Sequence, residues 1–155
     1  MQSEPLTLSE TEFAQVQQSF PDNGSNRAVD RRAIALARIY LARRHPGCEH
    51  ITALAGVDLT VRLCETTFSY EVKGSRGTGI APPKLKVSSQ RCHDSLVAGT
   101  PMLRIAGVFD RTPIVYIMQH GRDFVLRPEP RWSLHLVATP RPNQAMQRTA
   151  PRSDG

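Results

Sequence analysis

The chain has 155 residues and a mass of 17.2 kDa, which is the size of one ordinary domain. Apolar residues make up 39% of it, and no window approaches the ~18–20 uncharged apolar residues that a membrane span needs. Its 20 lysines and arginines exceed its 14 acidic residues, giving a net charge of +6. A basic chain suits a polyanion such as nucleic acid, although many small basic domains bind none. We therefore expect no membrane partner and take nucleic acid as the first candidate partner.

Cysteine content and the first residues bear on the cellular compartment. The sequence has three cysteines (Cys48, Cys64 and Cys92) without close pairing, which argues against a disulfide framework and against a cysteine-based zinc site. Residues 1–5 carry neither a basic region nor an apolar run, so we expect no secretory signal. These features favour a reducing, cytoplasmic compartment.

The N-terminal part predicts one short helix. Ser9 followed by Glu12 forms a capping box, in which each side chain can bond the other residue's backbone amide. Phe13, Val16 and Phe20 share one helical stripe, so the helix is predicted from about residue 10 to residue 20. Residues 21–25 are turn formers. We delimit residues 1–26 as an N-terminal helix and turn.

A second, longer helix is predicted from Arg27 to His45, where apolar residues recur at helical spacing until Pro46-Gly47 ends it. The segment holds six arginines and one acidic residue, Asp30. These arginines could bind phosphates or could form a solvated helix face. The candidate phosphate contacts are Arg27, Arg31 and Arg38, with Arg76 in a later glycine-rich loop.

Two alternating segments predict a β-hairpin with one core face. Residues 57–63 and 68–73 each alternate apolar and polar side chains across a four-residue link. If Leu63 opposes Phe68, Asp58 faces Lys73, and Glu71 is a diagonal neighbour of Asp58 on the same face. Carboxylates about 5–8 Å apart can share one divalent cation. The alternative is an ordinary polar face, with Asp58 and Lys73 as a cross-strand ion pair.

The remaining elements complete one layered domain over residues 27–138. We predict a helix at 89–97 capped by Ser88 or Ser89, strands at 102–109 and 113–118, and short edge strands at 124–126 and 132–137. Residues 139–155 lack periodicity and are expected to be a disordered tail. The element order predicts an α+β or mixed α/β fold, in which helices flank one mixed sheet.

The carboxylate pair and the lysine suit phosphodiester hydrolysis. A divalent ion makes water more acidic and neutralises charge on the phosphate. Lys73 could orient the nucleophile or stabilise charge in the transition state. Asp58, Glu71 and Lys73 are therefore the candidate catalytic residues.

The strings Gly56-Val57-Asp58 and Glu71-Val72-Lys73-Gly74-Ser75 resemble the active-site core of the PD-(D/E)xK nuclease superfamily. Roughly residues 28–120 are most similar to the NO VEIN C-terminal domain family. The resemblance implies a restriction-endonuclease-like core, a DNA substrate and a Mg²⁺ or Mn²⁺ cofactor. It also implies that Asp58, Glu71 and the Val72 carbonyl bind the metal, with accessory roles for Asp30 and Gln90.

Some features favour a different function on the same fold. Asp30 stands where such families usually have Glu, no proline precedes Asp58, and the stretch 88–90 lacks a Glu that related helices often carry. The chain also has no dedicated specificity domain. The alternative is a non-catalytic module that binds nucleic acid or protein. A nuclease this small often needs a second copy to cut both strands, so a homodimer is one candidate assembly.

Overall fold

The computed structural model describes residues 1–79, 86–87 and 89–128. Within these residues the chain forms three helices and six strands. The helices are α1 (Glu10–Ser19), α2 (Asn26–Arg44) and α3 (Gln90–Val97). The strands are β1 (Gln2–Pro5), β2 (Glu49–Ile51), β3 (Leu59–Leu63), β4 (Thr66–Ser75), β5 (Met102–Ala106) and β6 (Ile114–Met118).

All six strands form one mixed sheet in the order β1-β6-β5-β4-β3-β2. Only β4 and β5 run parallel, and α3 lies between them in the sequence. A parallel pair needs such a crossover, whereas the antiparallel neighbours can be joined by turns. The predicted α+β class, with helices flanking one mixed sheet, is confirmed.

The hairpin of β3 and β4 is tighter than predicted. Leu63 pairs with Thr66 and Leu59 pairs with Tyr70, so the link is two residues rather than four. Cys64, the first of these two, has a positive φ of 53°. Because the pairing moves by two positions along β4, every side chain keeps its predicted face. The predicted pairing of Asp58 with Lys73 is wrong, because Asp58 precedes the paired residues and its amide donates to the Tyr70 carbonyl. Within the paired strands, Thr60 and Ser69 share a face as predicted.

Helix α2 packs on one face of the sheet, where the main core lies. Ala33, Leu36 and Ala37 are fully buried in the same core as Tyr70 and Val72 of β4. The helix approaches the sheet most closely at Gly74, where a Cβ atom would lie 2.8 Å from Ala33 Cβ and 3.1 Å from the Val29 carbonyl oxygen. The side chains of Glu71 and Lys73 alternate with Gly74 along β4 and therefore leave the sheet on the opposite side.

The N-terminal residues belong to the same sheet and core as the rest of the chain. β1 pairs with β6 along its whole length, and Leu6, Leu8 and Val16 join the main core. The predicted boundary at residue 26 therefore separates no independent core. The capping box at Ser9 is present as predicted, with the Glu12 amide donating to Ser9 Oγ at 3.2 Å.

Other predicted elements differ in length or position. The strands predicted at 102–109 and 113–118 are shorter, and no strand forms at 124–126, where Phe124 makes only an isolated bridge with His120. Ser89 caps α3 by accepting a hydrogen bond from the Cys92 amide. The predicted strand at 132–137 and the predicted tail at 139–155 lie outside the described residues.

Candidate active site

Asp58 is held at the entrance to β3 by two hydrogen bonds to β4. Its backbone amide donates to the Tyr70 carbonyl at 3.1 Å, and its Oδ2 accepts from the Val72 amide at 2.9 Å. The regular pairing of the hairpin begins at Leu59 with Tyr70, so Asp58 lies just before the paired residues. Its side chain and that of Glu71 line the same small pocket.

Glu71 and Lys73 form an ion pair beside Asp58. The side chain of Glu71 is 3% exposed, and its Oε1 lies 2.6 Å from Lys73 Nζ. This oxygen is buried and makes no well-aligned hydrogen bond. Burial of Lys73 opposes its charge, but the Glu71 carboxylate and the charge of Asp58 outweigh that effect and raise the pKa of Lys73. Lys73 is therefore a cation throughout the neutral range.

A small pocket of about 210 Å³ opens at the two carboxylates. It is lined by Gly56, Val57, Asp58, Glu71, Ser89 and Cys92, so the start of α3 forms one wall. Gly56 permits this arrangement, because its φ is +92° and a Cβ atom would lie 2.9 Å from the Arg91 carbonyl group. A larger depression lies on α1, but its lining includes only one charged residue, Glu10.

Arg104 adds a charged side chain to the same face on β5, beside an apolar cluster that includes Met102 and Met118. It is the register partner of Lys73 in the parallel pair, and it is 1% exposed. Burial lowers the pKa of Arg104, and the neighbouring Tyr116 opposes that effect. The sequence analysis predicts a strand over residues 102–109 and assigns no role to this arginine. The signal was a single arginine within Met-Leu-Arg-Ile-Ala, since arginine is rarely buried without a partner.

The residues present are compatible with Mg²⁺. Within the described ranges, no cluster of three or more histidine, cysteine, aspartate or glutamate side chains could hold a metal ion. Mg²⁺, however, is commonly held by one or two carboxylates with waters completing the shell. Asp58 and Glu71 supply two carboxylates at one pocket, and the buried Glu71 Oε1 has Lys73 Nζ as its neighbour at 2.6 Å.

The predicted accessory residues lie apart from this carboxylate pair. Asp30 is exposed on α2, whose buried side packs on the other face of the sheet. Gln90 donates to Asp94 Oδ1 at 2.7 Å, so its side chain contacts its own helix.

The predicted phosphate-contacting arginines differ in their surroundings. Arg27, Arg31 and Arg38 are exposed on α2. Arg76 is exposed but pairs with Asp22 and stacks on Phe109, with its guanidinium carbon 4.8 Å from the ring centre.

Arg32 corrects the picture of an entirely solvated arginine face on α2. It is fully buried, with Nε donating to the Val108 carbonyl at 2.7 Å and Nη1 donating to the Phe20 carbonyl at 3.0 Å. Its guanidinium carbon also lies 4.8 Å from the ring centre of Phe109. Arg32 therefore ties α2 to the end of α1 and to the loop after β5, and it is not available to a polyanion.

Comparison with known proteins yields no match: no family model, no curated protein and no solved structure is significantly similar to the chain. None of the helices in the described part of the chain has the length and apolar character required to cross a membrane.

Proposed function

We propose that this chain is a metal-dependent endonuclease-like domain that hydrolyses phosphodiester bonds in DNA. The observation that carries the proposal is the shared pocket of Asp58 and Glu71, with Lys73 in ion-pair contact with Glu71. Such hydrolysis needs carboxylates that can bind a metal ion and a nearby side chain that keeps its positive charge. A cytoplasmic location and action as a homodimer belong to the same proposal.

Each residue of this cluster has a distinct role in the proposed reaction. Asp58 and Glu71, with the Val72 carbonyl, would hold Mg²⁺ or Mn²⁺, which supplies positive charge against the phosphate and makes water more acidic. Lys73 stays protonated beside Glu71, so it can stabilise negative charge that builds on the phosphate oxygens. The hydrogen bond that the Val72 amide donates to Asp58 Oδ2 keeps the aspartate side chain facing β4. Asp30 and Gln90 have only an accessory role in the proposed reaction.

The order of elements also supports the resemblance to PD-(D/E)xK nucleases. The leading helix α2 is followed by Asp58 at the start of β3, by the Glu-Val-Lys-Gly-Ser string within β4, by the serine-capped α3 and by two further strands. The net charge of +6 favours association with a polyanion.

The first experiment is a plasmid cleavage assay with Mg²⁺ or Mn²⁺. We expect the natural chain to cut the plasmid and Lys73→Met to lose at least about 100-fold in rate, as removal of one preorganised charge-stabilising group does elsewhere. Arg62→Gln is the matched control, because Arg62 is an exposed cation of the same hairpin, paired with Glu49. Undiminished cleavage by the Lys73 variant would reject the catalytic assignment.

The second experiment measures metal binding directly. Titration calorimetry with Mn²⁺ should show one site in the natural chain, and Asp58→Asn and Glu71→Gln should each weaken it about tenfold or more. Circular dichroism on the same samples verifies that both variants are folded. Equal Mn²⁺ affinity in all three proteins would rule out this carboxylate pair as the metal site.

A second candidate function is a non-catalytic module that binds nucleic acid or protein. The ion pair between Lys73 and Glu71 favours it, because Lys73 already neutralises a carboxylate that would otherwise attract a metal. The two candidates separate by calorimetry and salt titration. Absence of Mn²⁺ binding at millimolar concentration, together with salt-dependent DNA binding, supports the module and rejects the nuclease.

A further inference from the structure

Two cationic side chains lie side by side on the face of the sheet opposite α2. Lys73 of β4 and Arg104 of β5 are register partners, and adjacent strands are about 4.7–4.9 Å apart. Among the residues that the structure describes, none of the three side-chain nitrogens of Arg104 has a hydrogen-bond partner, although all three are buried. The five N–H donors of its planar fork are thus unused within the described residues.

Arg32 is also buried but, unlike Arg104, has hydrogen-bond partners within the described ranges. Two of its nitrogens donate to backbone carbonyls and its guanidinium stacks on Phe109. A buried charge without partners is costly. Since the described part of the chain provides no such partners around Arg104, an additional group is expected to bind there. The group must be an acceptor, and an anion matches the charge.

We propose that Arg104 and Lys73 together bind a phosphate group beside Asp58 and Glu71. A phosphate has enough acceptor oxygens to bind the arginine fork and the lysine ammonium at once. The side chain of Lys73 is 20% exposed, so a ligand can reach its ammonium group from solvent. The phosphate is either part of a nucleic-acid backbone or a free phosphate ion. The first of these sources rests on the proposed nuclease function, whereas the anion site itself does not.

The test titrates inorganic phosphate into the natural chain and into Arg104→Met, at constant ionic strength, by calorimetry and thermal unfolding. The natural chain should bind phosphate, and Arg104→Met should bind it about 10- to 100-fold more weakly, as expected for loss of hydrogen bonds to a charged group. Arg62→Gln, the matched control on β3, should keep the natural affinity.

Stability without phosphate distinguishes an anion site from a purely structural arginine. Methionine fills a similar length and removes the buried charge, so Arg104→Met should unfold at the same temperature as the natural chain or higher. A structural role predicts lower stability together with unchanged phosphate binding, and that result would overturn the proposal. If Arg104→Met does not fold, Arg104→Lys serves instead: it retains charge but lacks the fork, and unchanged phosphate affinity there would equally overturn the site.

A short DNA duplex identifies the source of the phosphate. If Arg104→Met weakens duplex binding as well as phosphate binding, the phosphate belongs to a nucleic acid; if only phosphate binding falls, the ligand is a free phosphate. Absence of phosphate binding by the natural chain rejects the anion site. The Mn²⁺ titration tests the proposed nuclease function independently of the anion site, since Arg104→Met should retain the natural Mn²⁺ affinity.

Discussion

At the scale of single residues, Gly74 connects the sequence motif with the fold. It follows Lys73 in the Glu-Val-Lys-Gly-Ser string, and its missing side chain lets α2 approach the opposite face of β4. Packing alone therefore explains the glycine, whether or not the chain is a nuclease. The same strand thus presents charged groups on one face and a helix contact on the other.

Gly74→Ala should destabilise the protein by about 1–3 kcal/mol, because overpacking of a close contact forces backbone shifts. The added Cβ would lie 2.8 Å from Ala33 Cβ and 3.0 Å from Val29 Cγ1. Urea unfolding measures the change. Gly77→Ala is the control, because nothing lies within 4 Å of its Cβ position, and it should shift stability by no more than about 0.5–1 kcal/mol. Equal effects of both substitutions would contradict this close approach of α2.

The residues of the candidate site were predicted unevenly, for physical reasons. Asp58, Glu71 and Lys73 could be placed on one face because side chains of a strand alternate with a period of two. Their pairing could not, because register depends on the length of the turn. Arg104 could not be placed beside Lys73, because contact between β4 and β5 is set by the crossover through α3 rather than by local sequence.

At the scale of secondary-structure elements, local signals predicted the helices better than the strands. Capping serines start the three described helices at Ser9, Ser25 and Ser89. The sequence predicts the first of these, and for the third helix it leaves Ser88 and Ser89 as alternatives. β1 and β2 were missed because they are only four and three residues long, which is too short for alternation to show. Both are edge strands of the sheet and gain their structure from their neighbours.

The turn between β3 and β4 provides a test at this scale. Cys64 has a φ of 53°, a conformation that disfavours a side chain by about 1–2 kcal/mol. Cys64→Gly should therefore raise stability by up to about 1 kcal/mol, after allowance for the greater chain entropy of glycine. Denaturant unfolding under reducing conditions measures it. Glu65→Gly, at the neighbouring position without a positive φ, should lower stability; a stabilising Glu65→Gly would show that the strain is assigned to the wrong residue.

At the scale of the whole molecule, the N-terminal strand is fastened to α2 by polar groups. Tyr40 donates its hydroxyl to Glu4 Oε2 at 3.1 Å, and Arg44 contacts both residues. These contacts join the first residues of the chain to the middle of the domain. Together with the pairing of β1 and β6, they explain why residues 1–26 are part of the fold rather than an appendage.

Alkaline pH should weaken the contacts of Tyr40 and so lower the free energy of unfolding. Burial raises the pKa of Tyr40 to about 12, with Arg44 opposing and Glu4 adding to the shift. Because the folded pKa exceeds the unfolded value of about 10, the stabilisation is present below pH 10 and is lost as pH rises from about 10 to about 12. The loss should reach about 2–3 kcal/mol. Urea unfolding between pH 9 and 12 should give a smaller loss in Tyr40→Phe; an equal slope in both proteins would contradict the assignment to Tyr40.

The basic surface of α2 is smaller than the sequence suggested. Arg32 is buried, and Arg43 and Arg44 are paired with Glu12 and Glu4. The exposed arginines that remain as candidate phosphate contacts on this helix are Arg27, Arg31 and Arg38. The interaction of α2 with a polyanion therefore depends on these three side chains.

Replacing these three arginines by glutamine should weaken DNA binding equally on all sequences. It should also reduce the slope of log K against log salt by up to ~0.9 for each phosphate contact removed. The fold should persist, since exposed substitutions usually change stability by about 0.5 kcal/mol or less. The control replaces three exposed arginines elsewhere (Arg62, Arg111 and Arg127), which matches the loss of charge. A salt slope that falls equally in both triple variants would mean that net charge, rather than α2, attracts the DNA.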